Sequence, residues 1–280
     1  MVLAETLVVL VGNVLAMLVP AVAVSVGPQR FLGALRDSRR RFVAVAPYLL
    51  PLAIVLAARR LALSIGPDIS WYLEWNVTGF IYGLEGTAVV RLQELASPLL
   101  TDYFVFVYLY GYVFLLVFPV VAYFALDDTD RLAELLVAFV LNYGIGLVCY
   151  VLFVAYGPRN VIPEVVDSLL YTTQPTSQHL TGEVNRNTNV FPSLHASLSA
   201  TVALFAWRTR SEYAEWLLLA VPLAVSVAVA TMYLGIHWVT DVAGGLVLAA
   251  VSYWLAIRIV DHYGCWESMP AFFARLSTRQ

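Results

Sequence analysis

The sequence predicts an all-α protein, a polytopic bundle of about six to seven transmembrane helices, and three observations predict it. Of the 280 residues, 61% are hydrophobic and 12% charged, whereas a soluble domain carries roughly 25% charged residues. The mean hydropathy is +0.79. The apolar residues gather into about seven runs, most of them reaching the ~20 residues that a tilted helix needs to cross a bilayer. Too few charges remain to cover a water-soluble globule. The same composition argues against disorder, a collagen-like chain and nucleic-acid binding.

The runs come in this order. Val2–Val26 has no basic segment ahead of it and reads as a retained helix rather than a cleaved signal peptide. Phe42–Ala58 is the second run. The connection Arg59–Asp102 follows, with the aromatic string Trp71-Tyr72-Leu73-Glu74-Trp75 and then Leu84, Ala88, Leu92, Leu95 and Leu99 at helical spacing. Tryptophan and tyrosine at this density suit the headgroup region, so residues 42–101 read as the second span plus an interfacial or re-entrant segment. Tyr103–Leu126 and Ala133–Tyr156 are long enough to span. The polar connection Gly157–Pro192 contains Thr172-Thr173-Gln174-Pro175-Thr176-Ser177; a loop this long is functional or disordered. Leu194–Trp207 is short and must borrow residues at an end. Ala214–Leu234 and Trp238–Ile259 complete the set, and 261–280 reads as a cytoplasmic tail. No internal repeat is visible, so 1–280 reads as one integral membrane domain, with 133–260 as its chemical core.

Arginine sets the orientation. All 16 basic residues are Arg, which leaves no lysine for a Schiff base. Arg30, Arg36, Arg39, Arg40, Arg41, Arg131, Arg208, Arg210, Arg258, Arg275 and Arg279 fall on one side, and Arg59, Arg60, Arg91, Arg159 and Arg186 on the other. The positive-inside rule makes the first side cytoplasmic. Seven spans then place the N-terminus outside and the C-terminus inside the cell membrane. Cys149 and Cys265 have no metal-like spacing. Cys149 reads as a small core residue, and no disulfide framework is expected.

His179, His195 and His237 lie on the non-cytoplasmic side, the last two at the mouths of helices. His195 stands in Phe191-Pro192-Ser193-Leu194-His195-Ala196-Ser197. Proline suits a first turn, Ser193 can satisfy a free backbone donor, and a helix N-terminus attracts phosphate. His237 stands in Thr231-Met232-Tyr233-Leu234-Gly235-Ile236-His237-Trp238-Val239-Thr240-Asp241. Four residues separate His237 from Asp241, which predicts one helical face and a hydrogen bond. A carboxylate on one ring nitrogen fixes the tautomer and raises the basicity of the other, as a nucleophilic or general-base histidine requires. Gly244-Gly245 would let a neighbouring helix pack closely. Each histidine alone has a plain alternative as a headgroup contact, and the His–Asp pair as a structural hydrogen bond. Two such groups facing the same side, one helix apart, favour function.

Pro192-Ser193-Leu194-His195 resembles the second motif, P-S-x-H, of the type 2 phosphatidic acid phosphatase superfamily, and His237 with Asp241 resembles the end of its third. The fuller strings are similar to those of the inositol phosphorylceramide synthase (inositolphosphotransferase) branch. The resemblance covers roughly Ala133–Ile259. It implies a six-helix catalytic core, a metal-free and cofactor-free reaction, and a phosphohistidine on His237 oriented by Asp241. It also implies that His195 protonates the leaving oxygen and that arginines hold the phosphate. Two departures stand out: Leu152 occupies the place of the first motif's lysine, and Ala230-Thr231 that of the third motif's Ser-Arg. Arg159, Ser193 and Arg186 are left as phosphate-binding candidates.

The function expected is that of a membrane lipid phosphotransferase. It would move a phosphoinositol-like headgroup between lipids on the non-cytoplasmic face. The alternatives are a lipid phosphate or polyprenyl diphosphate phosphatase, a proton-coupled transporter using the same residues as a relay, and a His/Asp metal site. Against the transporter, the residues sit at helix mouths rather than at the midplane.

Overall fold

The computed structural model describes residues 2–178 and 190–263. The architecture is an all-α membrane bundle, and the only β-pairing among the described residues is an isolated bridge between Asn76 and Val154. In chain order the helices are α1 (Val2–Ala21, extended by a π-helical turn, Val22–Val26), α2 (Pro28–Arg36) and α3 (Ser38–Leu73). Then come α4 (Thr78–Glu85), α5 (Val90–Gln93) and α6 (Pro98–Phe106). A second π-helical turn, Val107–Gly111, joins α6 to α7 (Tyr112–Phe124). The rest are α8 (Asp130–Leu152), α9 (Pro158–Val161), α10 (Leu169–Thr173), α11 (Leu194–Arg208), α12 (Ala214–Tyr233) and α13 (Val239–Tyr263).

Six helical stretches among the described residues are long and apolar enough to cross a membrane: Leu3–Val26, Ser38–Arg59, Pro98–Phe124, Asp130–Leu152, Ala214–Tyr233 and Val239–His262. Each matches one of the runs read from sequence. The seventh run, α11, borrows no residues at its start. It has 15 residues, about 22 Å at 1.5 Å per residue, against a hydrocarbon core of ~30 Å. A short helix is tolerated here because it is the centre of the bundle. It packs against α7, α8, α12 and α13, and Leu194, Ala196, Ser197, Leu198, Ser199, Thr201, Val202, Phe205 and Ala206 are all buried. Two of its polar side chains, Ser197 and Thr201, are paired with α8. Asn142 donates to Thr201 Oγ1 at 3.1 Å and accepts from Ser197 Oγ.

The connection after α3, read from sequence as an interfacial helix or a re-entrant segment, contains two short helices, α4 and α5. Gly86, at φ +55°, ends α4, and Ser97 caps a new helix at Pro98 by accepting from the Leu100 N–H. Leu84, Leu95 and Leu99 are exposed. Cys149 is half-buried rather than core. Cys265 lies outside the described residues.

Opposite ends of the bundle carry different chemistry. At one end, buried Glu134 accepts from Arg131 at 2.8 Å and takes a two-pronged pair from Arg208 at 2.9 Å. Arg41 donates to the carbonyls of Phe124 and Leu126. At the other end lie the residues singled out from the sequence.

Candidate active site

Three chain segments meet at that end: the start of α11, the turn before α13 and the loop after α8. Ser193 is buried, and its Oγ accepts from the Ala196 N–H at 3.3 Å, which makes it the N-cap of α11. Its own N–H donates to the Asp241 carbonyl at 2.9 Å, tying α11 to α13. That close approach requires Gly245: a Cβ there would lie 2.5 Å from the Ser193 carbonyl oxygen and 3.2 Å from the Ser197 nitrogen.

His237 stands before α13 and not on it, a correction to the one-face reading of its spacing to Asp241. The turn is held by the Thr231 carbonyl, which accepts the N–H groups of Ile236 and His237, both at 3.0 Å. With Val239 first in the helix, Asp241 is third. Its Oδ2 reaches back to accept the Trp238 N–H at 2.8 Å, as the acidic residue of a capping box does. The same oxygen faces His237 Nδ1 at 3.4 Å. The predicted contact therefore forms, through cap geometry instead of helical periodicity. Both side chains are buried, at 5% and 0% exposure. Asp241 Oδ1 is buried with no hydrogen-bond partner among the described residues.

Trp238 has no side chain able to cap α13, and a distant carboxylate does so. Glu85, the last residue of α4, accepts the N–H groups of Val239 (2.8 Å) and Thr240. A negative charge at a helix N-terminus is favourable, and it fixes where the His237 turn sits. Glu85→Ala is expected to lower turnover about 10- to 100-fold while leaving substrate KM little changed, because misplacement of reacting groups by about 1 Å costs this much. A steady-state comparison checks it, and an unchanged turnover number would contradict it.

The His195 ring stacks on Tyr108 at 4.7 Å and packs against Tyr112 at 4.4 Å. The His237 ring lies 6.3 Å away. The His195 side chain makes no ion pair or hydrogen bond among the described residues. The two histidines thus converge within the ~8 Å that a phosphorus atom held between two hydrogen-bonding groups would require. Tyr108 lies in the π-helical turn and Tyr112 directly follows it; such turns recur at functional sites.

Arg159 reaches the same end from α9. Its backbone N–H donates to the Gly235 carbonyl at 3.1 Å. Its guanidinium lies 4.6 Å over the Tyr171 ring and donates through Nη2 to the Tyr171 hydroxyl at 3.2 Å. Nη1 is buried with no partner among the described residues. Trp238 Nε1 donates to the Tyr156 carbonyl at 2.8 Å, and Gln93 donates to the carbonyls of Asp167 (3.0 Å) and Tyr233 (2.9 Å). The loop carrying Arg159 and the turn carrying His237 are stitched together by these bonds. Arg186 and His179 lie outside the described residues.

A family model described as PAP2 superfamily matches residues 82–255, more than half of the chain. The chain belongs to the PAP2 superfamily. The members of this superfamily are phosphatases and phosphotransferases built on a helical membrane fold. The match runs from α4 into α13 and so takes in every PAP2-like residue named above. No curated protein and no solved structure matches this PAP2 chain. Among the described residues no three His, Cys, Asp or Glu side chains are grouped to hold a metal ion. An apolar cavity of about 340 Å³, lined by Pro47, Tyr48, Pro51, Val137, Val140, Leu141 and Ile259, includes none of the PAP2 site residues.

Sequence reasoning missed Tyr108, Tyr112, Glu85 and Arg59. The two tyrosines, four apart inside an apolar run, were a usable signal. Arg59, at the end of a span, was counted only for orientation. Its guanidinium lies 5.9 Å from the Tyr143 ring centroid, and its charge reaches Tyr108, Tyr112 and His195. Nothing in the sequence tied Glu85 to α13.

Proposed function

We propose that this protein is a membrane lipid phosphotransferase working through a phosphohistidine, and that it moves a phosphoinositol-like headgroup between lipids. One observation carries the reading: two histidine rings 6.3 Å apart, one backed by Asp241, with Arg159 bonded through its backbone to the turn before His237 and its buried Nη1 lacking a partner among the described residues. With Nδ1 turned to the carboxylate, Nε2 of His237 is the nucleophile. It attacks phosphorus, the P–O bond to the leaving group breaks, and the departing oxygen takes a proton from His195. The acceptor hydroxyl then gives its proton to His195 and attacks the phosphohistidine, and the P–N bond breaks. Arg159 Nη1 and the Ser193 hydroxyl, which still has its proton to donate, hold the phosphoryl oxygens; Arg186 is proposed as a further contact. Phosphotransfer is favoured over hydrolysis by the likeness of Phe191-Pro192-Ser193-Leu194-His195 to the inositolphosphotransferase strings.

Purified protein incubated with labelled phospholipids, with and without hydroxyl acceptors, tests this. A new phosphodiester lipid is expected. Release of free phosphate alone would make the protein a phosphatase of the same superfamily, and no turnover of any phosphorylated lipid would refute both.

We place the site on the non-cytoplasmic face and the C-terminus in the cytoplasm, on the arginine distribution. Thr176 is exposed in the loop that carries Arg159. Thr176→Cys is expected to react with an impermeant maleimide added to intact cells. Labelling only after lysis would reverse the orientation.

A further inference from the structure

We propose that Arg59, at the outer end of the second span and outside the family-matched segment, is a second cation holding the transferring phosphoryl group together with Arg159. The proposal rests on the phosphoryl-transfer reading above. A phosphodiester headgroup carries one negative charge, and more negative charge gathers on the leaving oxygen as its bond to phosphorus breaks, beyond what one guanidinium offsets. Uncompensated charge in a water-poor site is costly. Arg159 is the arginine of the matched segment whose backbone is bonded to the turn before His237, and Leu152 and Ala230-Thr231 carry no charge.

Arg59 is placed to supply the rest. An arginine at the end of an apolar span is expected to face protein or a polar cavity. Its guanidinium lies 5.9 Å from the Tyr143 ring centroid. Tyr143 neighbours Tyr112, and the Tyr112 ring packs 4.4 Å from that of His195. The charges of both Arg59 and Arg159 reach Tyr108, whose ring stacks on His195. Two guanidiniums from different elements therefore act on the pocket around one histidine. Arginine's planar fork suits phosphate oxygens, which it can bond two at a time.

The first test uses wild-type protein. Phenylglyoxal modification of individual arginines is read by mass spectrometry with and without orthovanadate, a phosphate analogue. Vanadate is expected to protect Arg59 and Arg159 and to leave exposed Arg91 equally reactive. Protection of Arg159 but not Arg59 would overturn this inference and leave the proposed function standing. Protection of neither would overturn both. The second test measures vanadate affinity in folded variants. Arg59→Gln is expected to weaken binding about 10- to 100-fold, as expected for loss of a charged hydrogen bond. Arg59→Lys should be intermediate and Arg91→Gln unchanged. Wild-type affinity in Arg59→Gln would overturn the proposal.

Discussion

His237→Ala is expected to lower turnover on the order of 10⁵-fold or more, the largest effect of any single substitution here, because in the proposed mechanism it removes the atom that attacks phosphorus. The surroundings of His237 single it out. Its Nδ1 faces Asp241 Oδ2 at 3.4 Å, and that oxygen is itself fixed by the Trp238 N–H at 2.8 Å. The negative charge stabilises the positive ring that forms on phosphorylation, and the bond to Nδ1 leaves Nε2 free to attack. The measurement is product formation from a labelled phospholipid at saturating concentration. Activity above about one per cent of wild type would contradict the assignment, since loss of a nucleophile removes about six orders of magnitude where it has been measured in a hydrolase.

The second large effect is conditional on the leaving group. His195 has aromatic neighbours and no carboxylate contact among the described residues. It follows Ser193 at the start of α11, where the helix's partial positive charge disfavours a second positive charge unless an anion is bound. Those surroundings suit a group that delivers a proton only when substrate is present. His195→Ala is expected to slow an alkyl phosphoester substrate by about 10²–10⁴-fold, the usual worth of a general acid. An activated aryl phosphoester, whose leaving group needs no proton, should be spared in its first step. Burst amplitude on the aryl ester against turnover of the lipid separates the two. Equal losses on both substrates would show that His195 does not act as the acid.

Much of the fold was legible because lipid imposes a simple rule. A segment that must satisfy its own backbone in hydrocarbon has to be a long apolar helix, and six of the runs needed no further information. The rule fails where protein replaces lipid as the surroundings. Helix α11 is too short to span because it is enclosed by four other helices, a fact of packing that its own 15 residues do not state. The leucine pattern after α3 does not run through one continuous helix. Gly86 and Ser97-Pro98 break the helix, and several leucines at helical spacing face outward.

The candidate site was legible where its parts are close in sequence. Ser193 and His195 share one helix start, and His237 and Asp241 share one turn. Their contact came out correctly although the helix begins two residues after His237. What sequence could not show was long-range. Glu85 caps a helix that begins 154 residues further along the chain. Arg59 comes from a span that no motif marks. Tyr108 and Tyr112 are aimed at His195 by a π-helical turn, and the sequence reading did not anticipate that turn.

The most direct test of the central claim is to trap the intermediate. Protein mixed with a lipid whose phosphate carries ³²P is quenched in alkali within one turnover and digested, and the labelled peptide is identified. The account predicts an alkali-stable, acid-labile label on the peptide containing His237, absent from His237→Ala and accumulating in wild type when acceptor is withheld. A label on any other residue, or rapid turnover with no labelled peptide at any time point, would contradict it.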